Sequence, residues 1–180
     1  TIRKLLDNHK NVKHVILSNF KKEKKKIIDD IFSGSETKSR LIILPFSNKY
    51  ELFFKCADVF IDSFPVSSAL TMIDLMRLKV PYVVKINREN AHWSFHEYQT
   101  TGYPYMFEKS DDLLKGVETL LTDKQESARI IETNYRHYSE TFEGNAVKSR
   151  LCEIIYNADR LERFYTGPIN GNYQFKELGL

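Results

Sequence analysis

The sequence predicts an α/β fold in which a parallel sheet is covered by helices on both faces. Short apolar runs, which are typical of strands, alternate along the chain with segments whose apolar residues recur at helical spacing. The strand candidates are apolar at nearly every position, as expected when both faces of a sheet are buried. The chain has 180 residues, which is enough for one domain with a substantial core.

Strands and helices are predicted in regular alternation. The strand candidates are Val12–Ser18, Arg40–Leu44, Val59–Ile61, Tyr82–Ile86 and the short run Tyr105–Phe107. The helix candidates among them are Thr1–His9, Lys22–Phe32, Tyr50–Ala57 and Ala69–Leu78. The last of these helices is apolar on most sides, so we expect it to be well buried.

The remainder of the chain is predicted to be a helical C-terminal extension of a Rossmann-like sheet. Ser110 is the expected cap of its first helix, and Gly167-Pro168 ends its last one. The apolar positions that mark its helices are Leu113 to Leu121, Ile131 to Phe142, and Val147 to Leu161. Residues 1–166 are therefore expected to form one domain, followed by a tail at 167–180.

The charge balance argues against a nucleic-acid-binding protein. Lys and Arg total 27 against 24 Asp and Glu, so the net charge is only +3, well short of the positive excess of a protein that binds DNA or RNA. The densest basic block runs from Lys21 to Lys26 and opens a predicted helix. A solvated helix face is the favoured interpretation, and contact with a membrane surface or an acidic partner is the alternative.

The two cysteines, Cys56 and Cys152, lie far apart and form no Cys-x-x-Cys pair. They therefore indicate neither a zinc site nor a redox motif, and both are predicted to be reduced core residues of a cytoplasmic protein. No signal peptide is visible, and no apolar run approaches the ~18 residues that a membrane-spanning helix needs.

A turn after the third predicted strand is the strongest candidate for a ligand site. In parallel sheets, ligands bind beyond the carboxyl ends of the strands, and here Ser67, Ser68 and Thr71 open the helix that follows. Unpaired amides and the helix dipole at such a start favour a phosphate group. The alternative is that Ser67 or Ser68 is only a helix cap. Asp74, one turn further on, could accept hydrogen bonds from the hydroxyls of a ribose, or it could be a solvated charge.

A second cluster contains His92 and His96, which would share one face of a helix because they are four residues apart. Zinc would need a third ligand, for which Glu89 and Glu97 are the candidates. Because no third ligand stands at a typical zinc-helix spacing, aromatic packing is the favoured interpretation. We therefore expect no metal and no other cofactor.

The stretch "CADVFIDSFPVSSALTMIDLMRLKVPYVV" resembles the donor-binding segment of GT-B glycosyltransferases. It looks most like the branch that contains the O-GlcNAc transferases and the bacterial adhesin N-glucosyltransferases. Its flanks, "RLIILPFSNKYELFFKCAD" and "INRENAHWSFHEYQTTGYPYMFEKSDDLL", are similar to the neighbouring segments of the same branch. The resemblance covers roughly Arg40 to Leu121 and implies the C-terminal half of a GT-B fold.

The resemblance also implies a nucleotide-sugar site. By position, Pro45, Phe46 and Ser47 would border the nucleobase, and Asp74 would meet the ribose. The diphosphate would be surrounded by Ser67, Ser68, Ala69, Leu70 and Thr71. No catalytic residue is assigned.

The activity that the resemblance implies is metal-independent transfer of a sugar from a nucleoside diphosphate sugar, with a UDP-sugar as the expected donor. The acceptor would be a protein or a glycan, bound mainly through an N-terminal domain that this chain lacks. As a fragment of such an enzyme, the chain alone is expected to bind the donor weakly and to transfer nothing.

Four departures from the family pattern keep other functions open. Ala69 and Leu70 interrupt a turn that is usually rich in Gly and Thr, and Lys79 replaces the glycine before Val-Pro. Tyr50 replaces a frequent His, and Phe95 a frequent Arg. One alternative is a non-catalytic interaction module whose 10 Tyr and 12 Phe serve a partner contact. The other is a nucleotide-sugar epimerase of GT-B fold.

Overall fold

The computed structural model describes residues 1–64, 68–86 and 103–157. It divides into two compact units, Thr1–Glu143 and Gly144–Leu180. The predicted helix end at Gly167-Pro168 and the predicted boundary between residues 166 and 167 lie outside the described ranges, so they stay predictions.

Helices and strands alternate over most of the first unit, as predicted. In chain order the elements are α1 (Ile2–Asn8), β1 (His14–Leu17), α2 (Lys22–Ile31), β2 (Leu41–Leu44), α3 (Tyr50–Lys55), β3 (Phe60–Ile61), α4 (Ala69–Arg77), β4 (Tyr82–Lys85), β5 (Met106–Phe107), α5 (Ser110–Thr122), α6 (Lys124–Thr141) and α7 (Gly144–Asn157). A 3-10 helix at Glu36–Arg40, which the sequence did not predict, lies immediately before β2.

All the strand pairs described are parallel, which confirms the predicted sheet type. β1 pairs with β2, and a second sheet has the order β3-β4-β5. The strands thus form two parallel sheets, where the sequence predicted a single one. β3 has only two residues, and both of them pair with β4. It is therefore part of the second sheet.

The core of the first unit lies on both faces of β4. Successive side chains of a strand point to opposite faces, and Val83 packs with α5 whereas Tyr82 and Val84 pack with α4. All three side chains are fully buried. The residues that complete the two clusters include Leu113, Val117, Leu120 and Ile130 on one face and Met72, Leu75, Met76 and Val80 on the other. This confirms that helices cover the second sheet on both sides.

The predicted burial of the two cysteines and the predicted cap at Ser110 are wrong. Cys56 and Cys152 are exposed free thiols. Cys56 follows the last turn of α3, in which Phe54 is the buried residue, and the residues of α7 next to Cys152 are exposed as well. Leu70 is 77% exposed on α4, and its predicted place beside the diphosphate stays a prediction. Ser110 is the first residue of α5 after the N-cap Lys109, and it makes no capping hydrogen bond.

Candidate functional site

The loops after β2 and β3 hold the predicted site residues. β2 ends at Leu44 and is followed by the loop that carries Phe46 and leads into α3. β3 ends at Ile61 and is followed by the loop that leads into α4. Ser67 lies outside the described residues, so its predicted role stays a prediction.

The start of α4 is held by a pair of hydroxyl groups. Ser68 is the N-cap residue, but its side chain makes no capping hydrogen bond to the helix backbone. Its Oγ instead lies 2.5 Å from Oγ1 of Thr71. Ser68 thus occupies the N-cap position predicted for it or for Ser67, without a side-chain capping bond, and its role in a ligand site stays a prediction. Its hydroxyl and that of Thr71 lie together over the first turn, where amide groups are not satisfied within a helix.

Asp62, which the sequence did not single out, connects the end of β3 to the start of α4. Its side chain is buried, and Oδ1 accepts a hydrogen bond from the Ser68 amide at 3.4 Å. Its own amide donates to the carbonyl of Val83 at 2.9 Å. A carboxylate at this end of a helix is favoured by the macrodipole. The signal in the sequence was an acidic residue directly after the apolar run of β3.

Asp74 lies in a hydrogen-bonded network between α3 and α4. Its Oδ2 accepts from the hydroxyl of Tyr50 at 2.8 Å, and its Oδ1 accepts from Nη2 of Arg77 at 3.1 Å. Arg77 also donates to Oε1 of Glu51 at 2.7 Å. The hydrogen bond to Asp74 raises the pKa of Tyr50 above its ordinary value. Asp74 is thus fixed in orientation by two donors.

An exposed aromatic ring lies beside this network. Phe46 is 60% exposed, and its ring centroid is 6.3 Å from that of Tyr50 at an interplanar angle of 22°. The Phe46 amide donates to Oδ1 of Asn19, which follows β1. The hydroxyl of Ser47 accepts a hydrogen bond from the Lys49 amide at 3.1 Å, just before α3 begins. A flat apolar face is therefore presented to solvent next to Tyr50.

The predicted site residues fall into two groups that α4 joins. Ser68, Thr71 and Asp74 are spaced three residues apart, so they line one face of the helix, which we call the α4 stripe. The stripe joins the Ser68–Thr71 pair to Asp74, and Tyr50 joins Asp74 to Phe46. Leu70 points to solvent beside the stripe. Ala69 begins the helix, but its side chain lies outside the described part, and Pro45 is exposed in the loop after β2.

Two absences concern only the described ranges. No group of three or more His, Cys, Asp and Glu side chains there is placed to hold a metal ion. No helix there combines the length and apolar character that crossing a membrane requires. The predicted cluster of His92 and His96, with Glu89 and Glu97, lies outside the described residues, as does Phe95.

An open groove of about 450 Å³ lies elsewhere, between β5 and α5. Its described lining includes Tyr105, Phe107, Gly116 and Glu126 and none of the predicted site residues. The Phe107 ring lies close over Gly116, because a Cβ atom at this position would be 2.4 Å from Cε2 of Phe107 and the ring would have to shift. The groove is thus lined by the Phe107 ring where it packs against α5 at Gly116.

Comparison with known proteins supports the fold. No protein-family model and no curated protein matches the chain. Among solved structures it is similar to a mutant of the O-GlcNAc transferase from Thermobaculum terrenum, with a TM-score of 0.64 over 86% of this chain and 16% sequence identity. The chain spans 31% of the length of that protein. The likeness shows a GT-B-like, Rossmann-type α/β fold of the kind found in a glycosyltransferase.

Proposed function

We propose that this chain is the donor-binding domain of a glycosyltransferase, with a nucleoside diphosphate sugar lying along the α4 stripe. The observation that carries the proposal is the alignment of Ser68, Thr71 and Asp74 on one helix face, next to the Tyr50–Phe46 ring pair. In that order the face offers hydroxyls at a helix start, then a carboxylate, then an aromatic surface. These groups can bind a diphosphate, a ribose and a base in the same order.

The diphosphate is assigned to the first turn of α4. Its amides have no side-chain cap, and the positive end of the helix dipole favours an anion. Ser68 and Thr71 each carry a hydroxyl that can donate to a phosphate oxygen once their mutual hydrogen bond opens. The carboxylate of Asp62 accepts the Ser68 amide, so it fixes the backbone at the edge of the anion site.

The nucleoside is assigned to the other end of the α4 stripe. A carboxylate has about four lone-pair positions, so Asp74 can accept ribose hydroxyls while it keeps its bonds to Tyr50 and Arg77. The exposed ring of Phe46 offers a face on which a base can stack, a contact worth about 1–3 kcal/mol. Of the possible bases, uracil is the one that the family resemblance favours.

The reaction proposed for the whole protein is transfer of the sugar to a protein or glycan acceptor. Helix amides and hydroxyls would stabilise the departing diphosphate, the type of electrostatic stabilisation that can replace a metal ion. The name of the similar structure, an O-GlcNAc transferase, supports transfer of a sugar, and the protein or glycan acceptor comes from the family resemblance. A non-catalytic interaction module is the second candidate, and the 77% exposure of Leu70 beside the stripe favours it.

The test removes both hydroxyls at the start of α4. The 180-residue chain and its Ser68→Ala/Thr71→Ala variant are titrated with UDP, GDP and ADP by calorimetry. We expect the wild type to bind UDP at up to millimolar concentration and the variant to bind it at least tenfold more weakly, because each hydroxyl loses a hydrogen bond to a charged group.

The control is Thr133→Ala/Ser139→Ala, which removes two hydroxyls from α6, where both donate to backbone carbonyls. This variant should bind UDP like the wild type, and circular dichroism should show that both variants are folded. Binding of none of the three nucleotides by the wild type would contradict the proposal and favour the interaction module. An unchanged dissociation constant in the Ser68/Thr71 variant would remove the phosphate assignment.

A further inference from the structure

We propose that one further parallel strand lies between β1 and β3, and that it belongs to the polypeptide segment that precedes α1. The two sheets, β1-β2 and β3-β4-β5, would then be the two parts of one continuous sheet. This inference concerns the strand that completes the sheet, and it does not depend on the proposed function.

The edge of β1 that faces away from β2 pairs with no strand in the described ranges. In a parallel ladder, the N–H and C=O groups of alternate residues point to the same neighbouring strand. The Ser18 amide donates to the carbonyl of Leu44 in the β1–β2 pair, so the backbone of Val15 and Leu17 points away from β2. Val15 is also 44% exposed, although parallel sheets normally bury both faces.

β3 has an open edge of the same kind. The amides of Phe60 and Asp62 donate to the carbonyls of Pro81 and Val83, both at 2.9 Å, so the backbone of Ile61 points away from β4. No other strand of the described chain pairs with this edge. An apolar strand whose N–H and C=O groups lack a neighbour is a template for another strand.

The two open edges border the same core. Leu17 at the carboxyl end of β1 and Phe60 of β3 pack against one apolar cluster. On the other face, Leu5 of α1 is buried in a cluster with Val83, and Ile61 packs against that cluster. β1 and β3 are therefore parts of one packed structure, although they do not pair with each other.

The position of α1 indicates where the further strand comes from. Crossovers between parallel strands are right-handed, so helices on opposite faces of a sheet carry the chain across it in opposite directions. α4 lies on the Tyr82 face and carries the chain from β3 to β4. α1 lies on the Val83 face and enters β1, so it comes from a strand on the β3 side of β1. With this strand between β1 and β3, the strands follow the six-stranded order of a doubly wound sheet.

The experiment extends the 180-residue chain at its N terminus. One version carries the natural residues that precede the chain, about 20 of them, which is enough for a strand and a loop. The control version carries a Gly-Ser segment of the same length. Amide hydrogen exchange in both versions is measured by NMR, and circular dichroism checks that both are folded.

The amides that test the proposal are those of Val15, Leu17 and Ile61, and the reference amides are those of Ser18 and Asp62, which are bonded within the described sheets. With the Gly-Ser segment, the test amides should exchange about tenfold faster than the reference amides, because no strand lies beside them. With the natural segment, the two sets should exchange at rates within about threefold of each other, since all of them then lie in one ladder.

Two results would overturn the proposal. The test amides could still exchange about tenfold faster than the reference amides when the natural segment is present. Alternatively, light scattering could show that the Gly-Ser version is a dimer in which the test amides are already protected, and a second copy of the chain would then fill the position. Nucleotide binding enters neither result, so failure of the proposed function is seen separately, in the titration with UDP.

Discussion

Lys79 shows at the scale of one residue why a family pattern prefers glycine. Its φ angle is 59°, in the left-handed region, and it follows the last turn of α4. The Lys79 amide donates to the carbonyl of Met76, and the Val80 amide donates to that of Leu75, which together form the Schellman motif that ends many helices. Glycine adopts this conformation without strain, whereas in lysine the Cβ atom is strained against the backbone. Lys79 gains a contact in return, because its Nζ lies 4.1 Å from the ring centroid of Tyr135.

We predict that Lys79→Gly is about 1 kcal/mol more stable than Lys79→Met. Both variants lose the cation–π contact with Tyr135, but only glycine relieves the left-handed backbone. Urea unfolding of the two variants measures the difference. If Lys79→Met is the more stable of the two, the backbone at this position is not strained.

The residue scale also shows where sequence reasoning falls short. Asp62 is a buried carboxylate that links β3 to α4, and Lys85 is held by Ser110 and Phe64. The contacts of Lys85 join residues from different elements, and the Asp62–Ser68 contact spans six residues of the loop between β3 and α4, outside any helical or strand repeat. No local pattern in the sequence records such a pairing, whereas Ser68 and Thr71 could be found because they lie within one helical turn.

At the scale of elements, the carboxylate of Glu126 joins β5 to α6, and the start of α6 also carries a helix cap. Asp123 caps α6 by accepting the amides of Gln125 and Glu126 through Oδ1, each at 3.0 Å. The Glu126 side chain then accepts from Arg129 at 2.6 and 2.7 Å and from the hydroxyl of Tyr105 at 2.9 Å. These hydrogen bonds, chiefly those from Arg129, hold the pKa of Glu126 at about 2. Glu126 therefore ties the start of α6 to the residue that precedes β5.

We predict that this tie weakens in acid. The folded-state pKa of Glu126 is below its ordinary value of 4.5, so its stabilising contribution is complete above that pH and is lost as the pH falls toward 2. Glu126→Gln should lower the melting temperature at pH 7, and the gap to the wild type should close between pH 5 and pH 2. Thermal melting across this range measures the gap.

The control for this experiment is Glu132→Gln, which removes one charge from an exposed position of the same helix. The difference in melting temperature between Glu126→Gln and the wild type could instead stay constant down to pH 2. That result would show that these hydrogen bonds do not stabilise the ionised carboxylate of Glu126.

At the scale of the whole molecule, burial in the unit Thr1–Glu143 is uneven. Tyr82, Val83 and Val84 of β4 are fully buried, whereas α2 buries no residue and neither β1 nor β2 contains a buried position. Ile27 and Ile31 of α2 are more than half exposed. The basic block from Lys21 to Lys26 is also exposed, in agreement with its interpretation as a solvated helix face.

We predict that hydrogen exchange follows this difference. The amides of Val84 and Ile86 donate to the carbonyls of Tyr105 and Phe107, so they should exchange only by large-scale unfolding. Those of α2 should exchange at least 100-fold faster, since few buried apolar contacts oppose local opening. Exchange measured by NMR or mass spectrometry gives the rates, and equal protection of α2 and β4 would refute the prediction.

The sequence by itself determined the fold class and nearly every element of the described chain. Apolar runs and helical spacing located β1 to β5 and α1 to α7 to within a few residues, because backbone periodicity is a local property. It also placed Ser68 and Thr71 at the start of a helix that follows a strand, and Asp74 one turn further along it. Tertiary structure alone decided that the strands form two sheets and that Cys56 and Cys152 are exposed. It alone brought Tyr50 to Asp74 and Lys85 to Phe64, because these contacts depend on how separate elements pack and not on the periodicity of any one of them.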